Sequence, residues 1–440
     1  MYNKKSILKV SYPIFLGLLA QNVINVTDTA FLGHVGEVEL GASAIGGIYY
    51  YCYFILAFGF SIGAQILMAR RNGEKNYAQI GPILTQSSLF IFLIAVILLA
   101  GSVLTARPML NLMLSSPKIV DAAVVFYEWR AWGFLFSFLN AMYRAFYISI
   151  TQTKVLTYNA VVMAVVNIVL DWAMIFGKMG FPAMGLEGAA LASVIAEAVS
   201  LGYFILHTRL TIDRAKYNMH FSFKIDRHLI VEILGLAFFL MIQQFVPFAT
   251  WFVFFLAIEH LGQRELAIAN ICRSIYILVL IPINSFQTAI NTLVSNTMGA
   301  GKLDQVVPVI NRVTKMSVGM SVFCAALMLL IPEVLLSIYT KDVQLINDSI
   351  PSLYVIAGAL VLCAASNVQF SGISGTGNAK SALAIELPCQ LVYIVWIIVF
   401  TGYMKWSVAA SFTCEVVYYA LLFLCSWIYL KRGSWKEIRL

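Results

Sequence analysis

This chain reads as an all-α integral membrane protein: twelve transmembrane helices in two six-helix bundles related by pseudo-twofold symmetry along the membrane normal. Composition is the first reason, because a chain that is 61% hydrophobic and 11% charged over 440 residues has far more apolar surface than one soluble core needs. Apolar runs are the second. Twelve stretches of mostly apolar residues recur along the sequence, each of about 20 residues or more and long enough to cross about 30 Å of hydrocarbon. The third is a repeat. His34-Val-Gly36-Glu-Val-Glu39-Leu40 returns 226 residues later as His260-Leu-Gly262-Gln-Arg-Glu265-Leu266, and the same gapless offset carries Gly73, Gln79 and Pro82 onto Gly299, Gln305 and Pro308.

The runs lie at residues 10–33, 41–68, 82–106, 119–149, 155–177, 185–208, 229–258, 266–297, 307–331, 347–374, 381–403 and 407–430. They are too long and too uniformly apolar for membrane strands, which show about ten residues of alternating polarity. The first follows Lys4, Lys5 and Lys9 as a signal peptide would, yet it outlasts a signal's apolar stretch and contains Gln21, Asn25 and Asp28, so it is read as a retained helix. Pro13, Pro247, Pro282 and Pro388 fall inside spans, where each removes a backbone hydrogen bond and favours a bend. Gly372-Ile-Ser-Gly375-Thr-Gly377 closes the tenth span; lacking the Gly-Lys-Ser/Thr ending and a preceding strand, it is not a phosphate loop. Seven cysteines, Cys52, Cys272, Cys324, Cys363, Cys389, Cys414 and Cys425, all fall in spans without a Cys-x-x-Cys pair and read as apolar packing residues.

An even number of spans per copy returns the chain to the side it started from, so both copies share one orientation and the natural cavity lies between them. The halves are expected at 1–210 and 229–440, joined by a cytoplasmic linker at 211–228. With the N-terminus inside, inner segments hold about 20 of the 29 Lys and Arg, so both termini are expected in the cytoplasm of a multi-pass protein of a bacterial inner (plasma) membrane. The cluster Arg209, Arg214, Lys216, Lys224 and Arg227 in the longest connection is a topology signal beside anionic lipid, not a nucleic-acid site. The repeated His-x-Gly-x-x-Glu motif is expected to build a tight turn before the second span of each half.

Chemistry separates the halves. Asp28 and Asp171 sit inside spans, and the offset puts Phe254 and Ile397 in their places. Gln21, Asn25 and Asp28 are spaced to share one face of the first helix, and Asn167 lies one turn before Asp171. A carboxylate in a span costs a few kcal/mol and needs a partner. Both aspartates lie five or six residues from the outer end of their spans, on helices running the same way, so they are expected at one level. Two carboxylates in one desolvated pocket do not both stay ionised cheaply, and a proton or Na⁺ relieves the repulsion; individual hydrogen bonds to Asn25 and Asn167 are the alternative. Glu128, Arg130, Arg144, Glu197, Arg273, Glu386 and Glu415 are expected to be ion-paired or to snorkel, with Glu197 nearest mid-span. With five scattered histidines and no nucleophile-and-base or metal cluster, an intramembrane enzyme is not expected, and no ATP-binding motif is present.

Val26-Thr27-Asp28-Thr29 followed by Gly33, Glu39-Leu40-Gly41-Ala42, Asn167-Ile-Val-Leu-Asp171 followed by Gly177, and the twelve-span double repeat resemble the multidrug and toxic compound extrusion (MATE) family, of the multidrug/oligosaccharidyl-lipid/polysaccharide exporter superfamily. The resemblance covers essentially the whole chain. It implies alternating access by two lobes and export of small organic compounds, cationic or amphiphilic, against inward H⁺ or Na⁺ flow, with no cofactor, in a monomer surrounded by membrane lipid and without nucleic acid. Carried over by motif, Asp28, Asp171 and Asn167 form the cation site, able to take H⁺ or Na⁺, with Tyr127 and Ser193 as further members. Pro13 resembles the proline at which the family's first helix is proposed to bend. Some members carry carboxylates in the seventh and tenth helices. Here those stretches read Ile242-Gln243-Gln244-Phe245 and Ser366-Asn367-Val368-Gln369, so no cation site is expected in the second half. Gln21, Asn25, Gln243, Gln244, Asn367 and Gln369 are instead expected to line the substrate cavity. The rival reading is a lipid-linked oligosaccharide flippase of the same superfamily, which would need several basic residues for a pyrophosphate where only Arg130, Arg144 and Arg273 lie in spans.

Overall fold

The computed structural model describes residues 2–114, 116–220 and 225–438, and helices with short connections make up the described chain. In order they are α1 (Lys4–Val35), α2 (Glu37–Gly73), α3 (Ile80–Met113), α4 (Pro117–Arg130), α5 (Phe134–Ser149), α6 (Lys154–Ile175), α7 (Leu186–Thr211), α8 (Arg227–Glu259), α9 (Gln263–Gly299), α10 (Val306–Leu330), α11 (Pro332–Ser337), α12 (Val343–Gly375), α13 (Ala379–Trp396), α14 (Val408–Ser411) and α15 (Thr413–Arg432). Among the described residues, eleven helices are long and apolar enough to cross a membrane. The fourth expected span is the difference. It is assembled from α4 and α5 across a 3₁₀ turn at Ala131–Gly133, so neither piece alone reaches spanning length.

The repeat is written into the helix boundaries. α2 and α9 each run 37 residues, from Glu37 to Gly73 and from Gln263 to Gly299, and each is followed by a single 3₁₀ turn, Tyr77–Gln79 and Leu303–Gln305. The histidine of the repeated motif closes the preceding helix in both copies: His34 Nδ1 donates to Ala30 O and His260 Nδ1 to Leu256 O, both at 2.7 Å. Gly262 then takes a positive φ of 154° before α9, a backbone state that disfavours side chains. The motif is therefore a helix stop and turn, as its spacing suggested. α4 and α12 also begin at matching positions, and α5 and α12 end at matching positions, but the second copy runs unbroken through Ile356-Ala357-Gly358-Ala359 where the first has Arg130-Ala131-Trp132-Gly133.

Packing separates the chain into an N-terminal unit, Tyr12–Met241, and a C-terminal unit, Met1–Ser11 with Ile242–Leu440; the boundaries fall inside α1 and α8. Described parts of the expected linker pack within the N-terminal unit: Tyr217 O accepts from Gly81 N at 2.9 Å, Asp226 N donates to Gln86 Oε1 at 3.1 Å, and the Lys216 ammonium stands 4.1 Å from the Tyr77 ring centre. Lys224 of the basic cluster lies outside the described residues. In the C-terminal unit the glycine run explains itself by packing. A Cβ on Gly375 would stand 2.7 Å from Asn291 O of α9, and one on Gly372 2.7 Å from Ile310 of α10, while Gly377 has φ 89°. Gly375→Ala is thus expected to cost about 1–3 kcal/mol by forcing α12 off α9, read as a lowered thermal midpoint in detergent; an unchanged midpoint would contradict the close approach. All seven cysteines are free thiols on helices, and Cys272, Cys363, Cys389 and Cys414 are buried.

Candidate cation site

α1 and α6 lie side by side along their lengths, and this brings the two aspartates together. Thr157 Oγ1 of α6 donates to Pro13 O of α1 at 3.1 Å, the carbonyl of a buried proline within an otherwise continuous helix. Gly17 is close enough to α6 that a Cβ there would touch Leu156 O at 3.8 Å and Ala160 Cβ at 4.0 Å. Further along, Phe31 meets Phe176 edge-to-face at 5.7 Å. Between these contacts Asp28 and Asp171 stand within hydrogen-bonding reach of each other. The equal spacing along the two helices is what parallel neighbours of equal rise require.

The pair is poor in partners. Asp171 is fully buried and Asp28 partly so. Asp28 Oδ1, both carboxylate oxygens of Asp171 and Asn167 Oδ1 are buried and accept no hydrogen bond from the described residues. Four such oxygens at one end of α1 and α6 are an electron-rich set without a donor, and leaving buried acceptors unmet is costly. A proton shared by the carboxylates would satisfy two of them. Na⁺, which takes hard oxygen ligands, would also suit carboxylate and amide oxygens. The other predicted members fall nearby or elsewhere. Asn167 Nδ2 reaches Ser193 Oγ at 3.5 Å, a long contact. Tyr127 is buried with its ring edge-to-face on Tyr49 at 4.7 Å, and its hydroxyl lies beside Ser102 of α3 without a well-formed hydrogen bond.

Next to the aspartates sits an ion pair that the sequence presented only as scattered charges. Arg130 Nη2 and Nη1 clamp Glu197 Oε1 and Oε2 at 2.6 and 3.0 Å, and the guanidinium rests 3.8 Å from the Tyr50 ring centre. Gly133 makes the room, since a Cβ there would collide with both partners. The network continues: Tyr50 Oη pairs with Ser137 Oγ at 2.7 Å, Asn140 Nδ2 donates to Glu197 O at 2.8 Å, and Asn159 Nδ2 donates to Ser200 Oγ at 2.8 Å. Arg130 lies within electrostatic range of Asp28, yet its charge is already matched by Glu197. The Asp28–Asp171 pair is left without a cation of its own. The usable sequence signal was the rule that an intramembrane charge needs a partner.

Of the residues expected to line a substrate cavity, Gln21 and Asn25 are exposed on α1. Gln243 is buried with both amide ends engaged, Nε2 to Ala379 O at 3.2 Å and Oε1 to Ser374 Oγ at 3.3 Å. Gln369 is buried, Gln244 and Asn367 are partly so, and Asn367 Nδ2 approaches Cys363 Sγ at 3.3 Å.

The sequence matches the MatE family over residues 13–173 and 237–399. The chain belongs to the MatE family. This MatE chain is 25% identical over 386 residues to a probable multidrug resistance protein NorM of Thermotoga maritima, covering 87% of this chain and 82% of the relative. To a probable multidrug resistance protein NorM of Pseudomonas aeruginosa it is 23% identical over 99% of this chain and 90% of the relative. A solved structure of a MOP superfamily transporter from Pyrococcus furiosus superposes with a TM-score of 0.90 at 18% identity, covering 99% of this chain and 97% of that one, which shows that the MatE chain shares its fold.

Proposed function

We propose that this protein is a secondary active antiporter that exports organic compounds, cationic or amphiphilic, driven by inward flow of H⁺ or Na⁺ through the Asp28–Asp171 site. One observation carries the reading: two intramembrane carboxylates within reach of each other, with four buried oxygens lacking a donor among the described residues and the neighbouring Arg130 already neutralised by Glu197. The names of its relatives, multidrug resistance proteins, support the substrate class. Binding a cation relieves the mutual repulsion of the aspartates and alters the polar face of α1 that carries Gln21, Asn25 and Asp28; releasing it on the other side restores that face. The site then favours one conformation when loaded and the other when empty, which couples cation to substrate. Asn167 holds Asp171's neighbourhood polar and supplies an oxygen if the ion is Na⁺, with Ser193 and Tyr127 as outer members, Pro13 as the place where α1 changes shape, and the halves 1–210 and 229–440 as the moving parts. The flippase alternative is weakened because Arg130 is tied to Glu197 and not free for a pyrophosphate.

The test is export of a fluorescent organic cation such as ethidium from proteoliposomes under an imposed pH gradient or Na⁺ gradient, each alone. Wild type is expected to respond to one of the two, and Asp28→Asn to neither. Undiminished gradient-driven export by Asp28→Asn would sink the role given to Asp28.

A further inference from the structure

The C-terminal unit lacks the aspartate pair, but it holds a buried carboxylate of its own. Glu415 on α15 is 3% exposed and is held from three other helices. Trp251 Nε1 of α8 donates to Glu415 Oε1 at 3.0 Å, and the Tyr393 hydroxyl of α13 donates to the same oxygen at 2.9 Å. The Tyr276 hydroxyl of α9 stands 3.5 Å from Oε2 and 3.2 Å from the Tyr419 hydroxyl on α15. The other titratable groups around it are Cys363 of α12 and Cys414 and Tyr418 of α15, none of them a cation. Glu386 of α13 faces Tyr418, and Arg273 of α9 packs over the Phe255 ring at 4.9 Å. Glu415 makes no ion pair among the described residues.

The repeat supplies no partner for this charge: Glu415 falls at the offset of Ala189, and the copy of Glu197 is Phe423. Tyr276 is the copy of Tyr50 at the 226-residue offset, and the copy of Arg130 is Ile356, fully buried. In the first half Tyr50 packs on an arginine paired with a glutamate; in the second both members of that pair are apolar, and Tyr276 meets Glu415, a glutamate from a different position with no arginine beside it. A carboxylate left ionised at that depth is expensive, and taking up one proton removes the cost.

We propose that Glu415 Oε2 is a second proton-binding site, in the C-terminal unit, separate from the Asp28–Asp171 pair. The hydrogen bonds distinguish the two oxygens. Oε1 is fixed as an acceptor, because an indole N–H can only donate and a second donor already points at it. Oε2 has the slack. When a proton from solution adds there, the new O–H donates to Tyr276 Oη, and Tyr276 keeps its own proton and donates to Tyr419 Oη at the shorter of its two contacts. No covalent bond breaks, and loss of the proton lets Tyr276 donate back to Oε2. The cage therefore has a complete hydrogen-bond pattern for each protonation state, unlike the orphaned aspartate oxygens.

Infrared difference spectroscopy on the purified full chain, stepped in pH without substrate or gradient, reads this site independently of any export activity. The expected result is a titrating carboxylic-acid carbonyl band that persists in the Asp28→Asn/Asp171→Asn double variant and disappears in Glu415→Gln. Tyr276→Phe removes only the hydroxyl that receives the proton and is expected to shift the position of that band; it serves as the measure should Glu415→Gln fold poorly. Identical titrating bands in wild type and Glu415→Gln, or a band unmoved by Tyr276→Phe, would overturn the assignment.

Discussion

Glu197→Ala is expected to be the most destabilising single change in the N-terminal unit, at about 3–5 kcal/mol, because it leaves the largely enclosed Arg130 guanidinium, 15% exposed, without its carboxylate. The loss should appear as a large drop in the detergent thermal midpoint and in expression. The same principle makes a second forecast about the pair: replacing both partners with apolar residues of similar volume, Arg130→Met with Glu197→Leu, should recover most of that loss, since an apolar pair carries no desolvation penalty. The cation–π contact with Tyr50 and the Asn140 bond to the Glu197 backbone are separate terms, and only the first is lost with Arg130. A single Glu197→Ala that unfolds within a degree or two of wild type would mean that water reaches Arg130 and that the site is far wetter than its burial implies.

The second large effect concerns the aspartates acting as one unit. If Asp28 and Asp171 share the coupling cation, then Asp28→Asn, Asp171→Asn and the double variant should each reduce gradient-driven export by on the order of 100-fold or more, with the double no worse than either single. Stability should move the other way. Asp171 has two buried oxygens with no donor among the described residues, so an amide there removes an unmatched charge and is expected to hold or raise the thermal midpoint. Additive losses in export, one multiplied by the other, would show two independent carboxylates and remove the basis for a shared cation.

The repeat, the spans and the shared level of Asp28 and Asp171 were readable because each depends on local periodicity or on counting residues along helices of known rise. The 226-residue offset even reproduces the ends of α2 and α9. What could not be read depends on contacts between residues far apart in sequence. Arg130 meets Glu197 across 67 positions, and Glu415 meets Trp251 across 164; nothing local in either sequence window names its partner. The 3₁₀ turn at Ala131–Gly133 escaped for the same reason, since Gly133 is small to admit side chains from two other places in the chain. The contacts of Tyr127 were hidden for the same reason: its ring packs on Tyr49 and its hydroxyl lies beside Ser102, both far from it in sequence.

α2 and α9, at 37 residues each, rise about 55 Å, well beyond a hydrocarbon layer of about 30 Å. Helices with that much spare length meet bilayers of different thickness by tilting, at a fraction of a kcal/mol per Å. A protein built around two such rods should tolerate a change of lipid chain length better than one whose helices only just span, and its surroundings can vary without forcing its charged sites toward the headgroups.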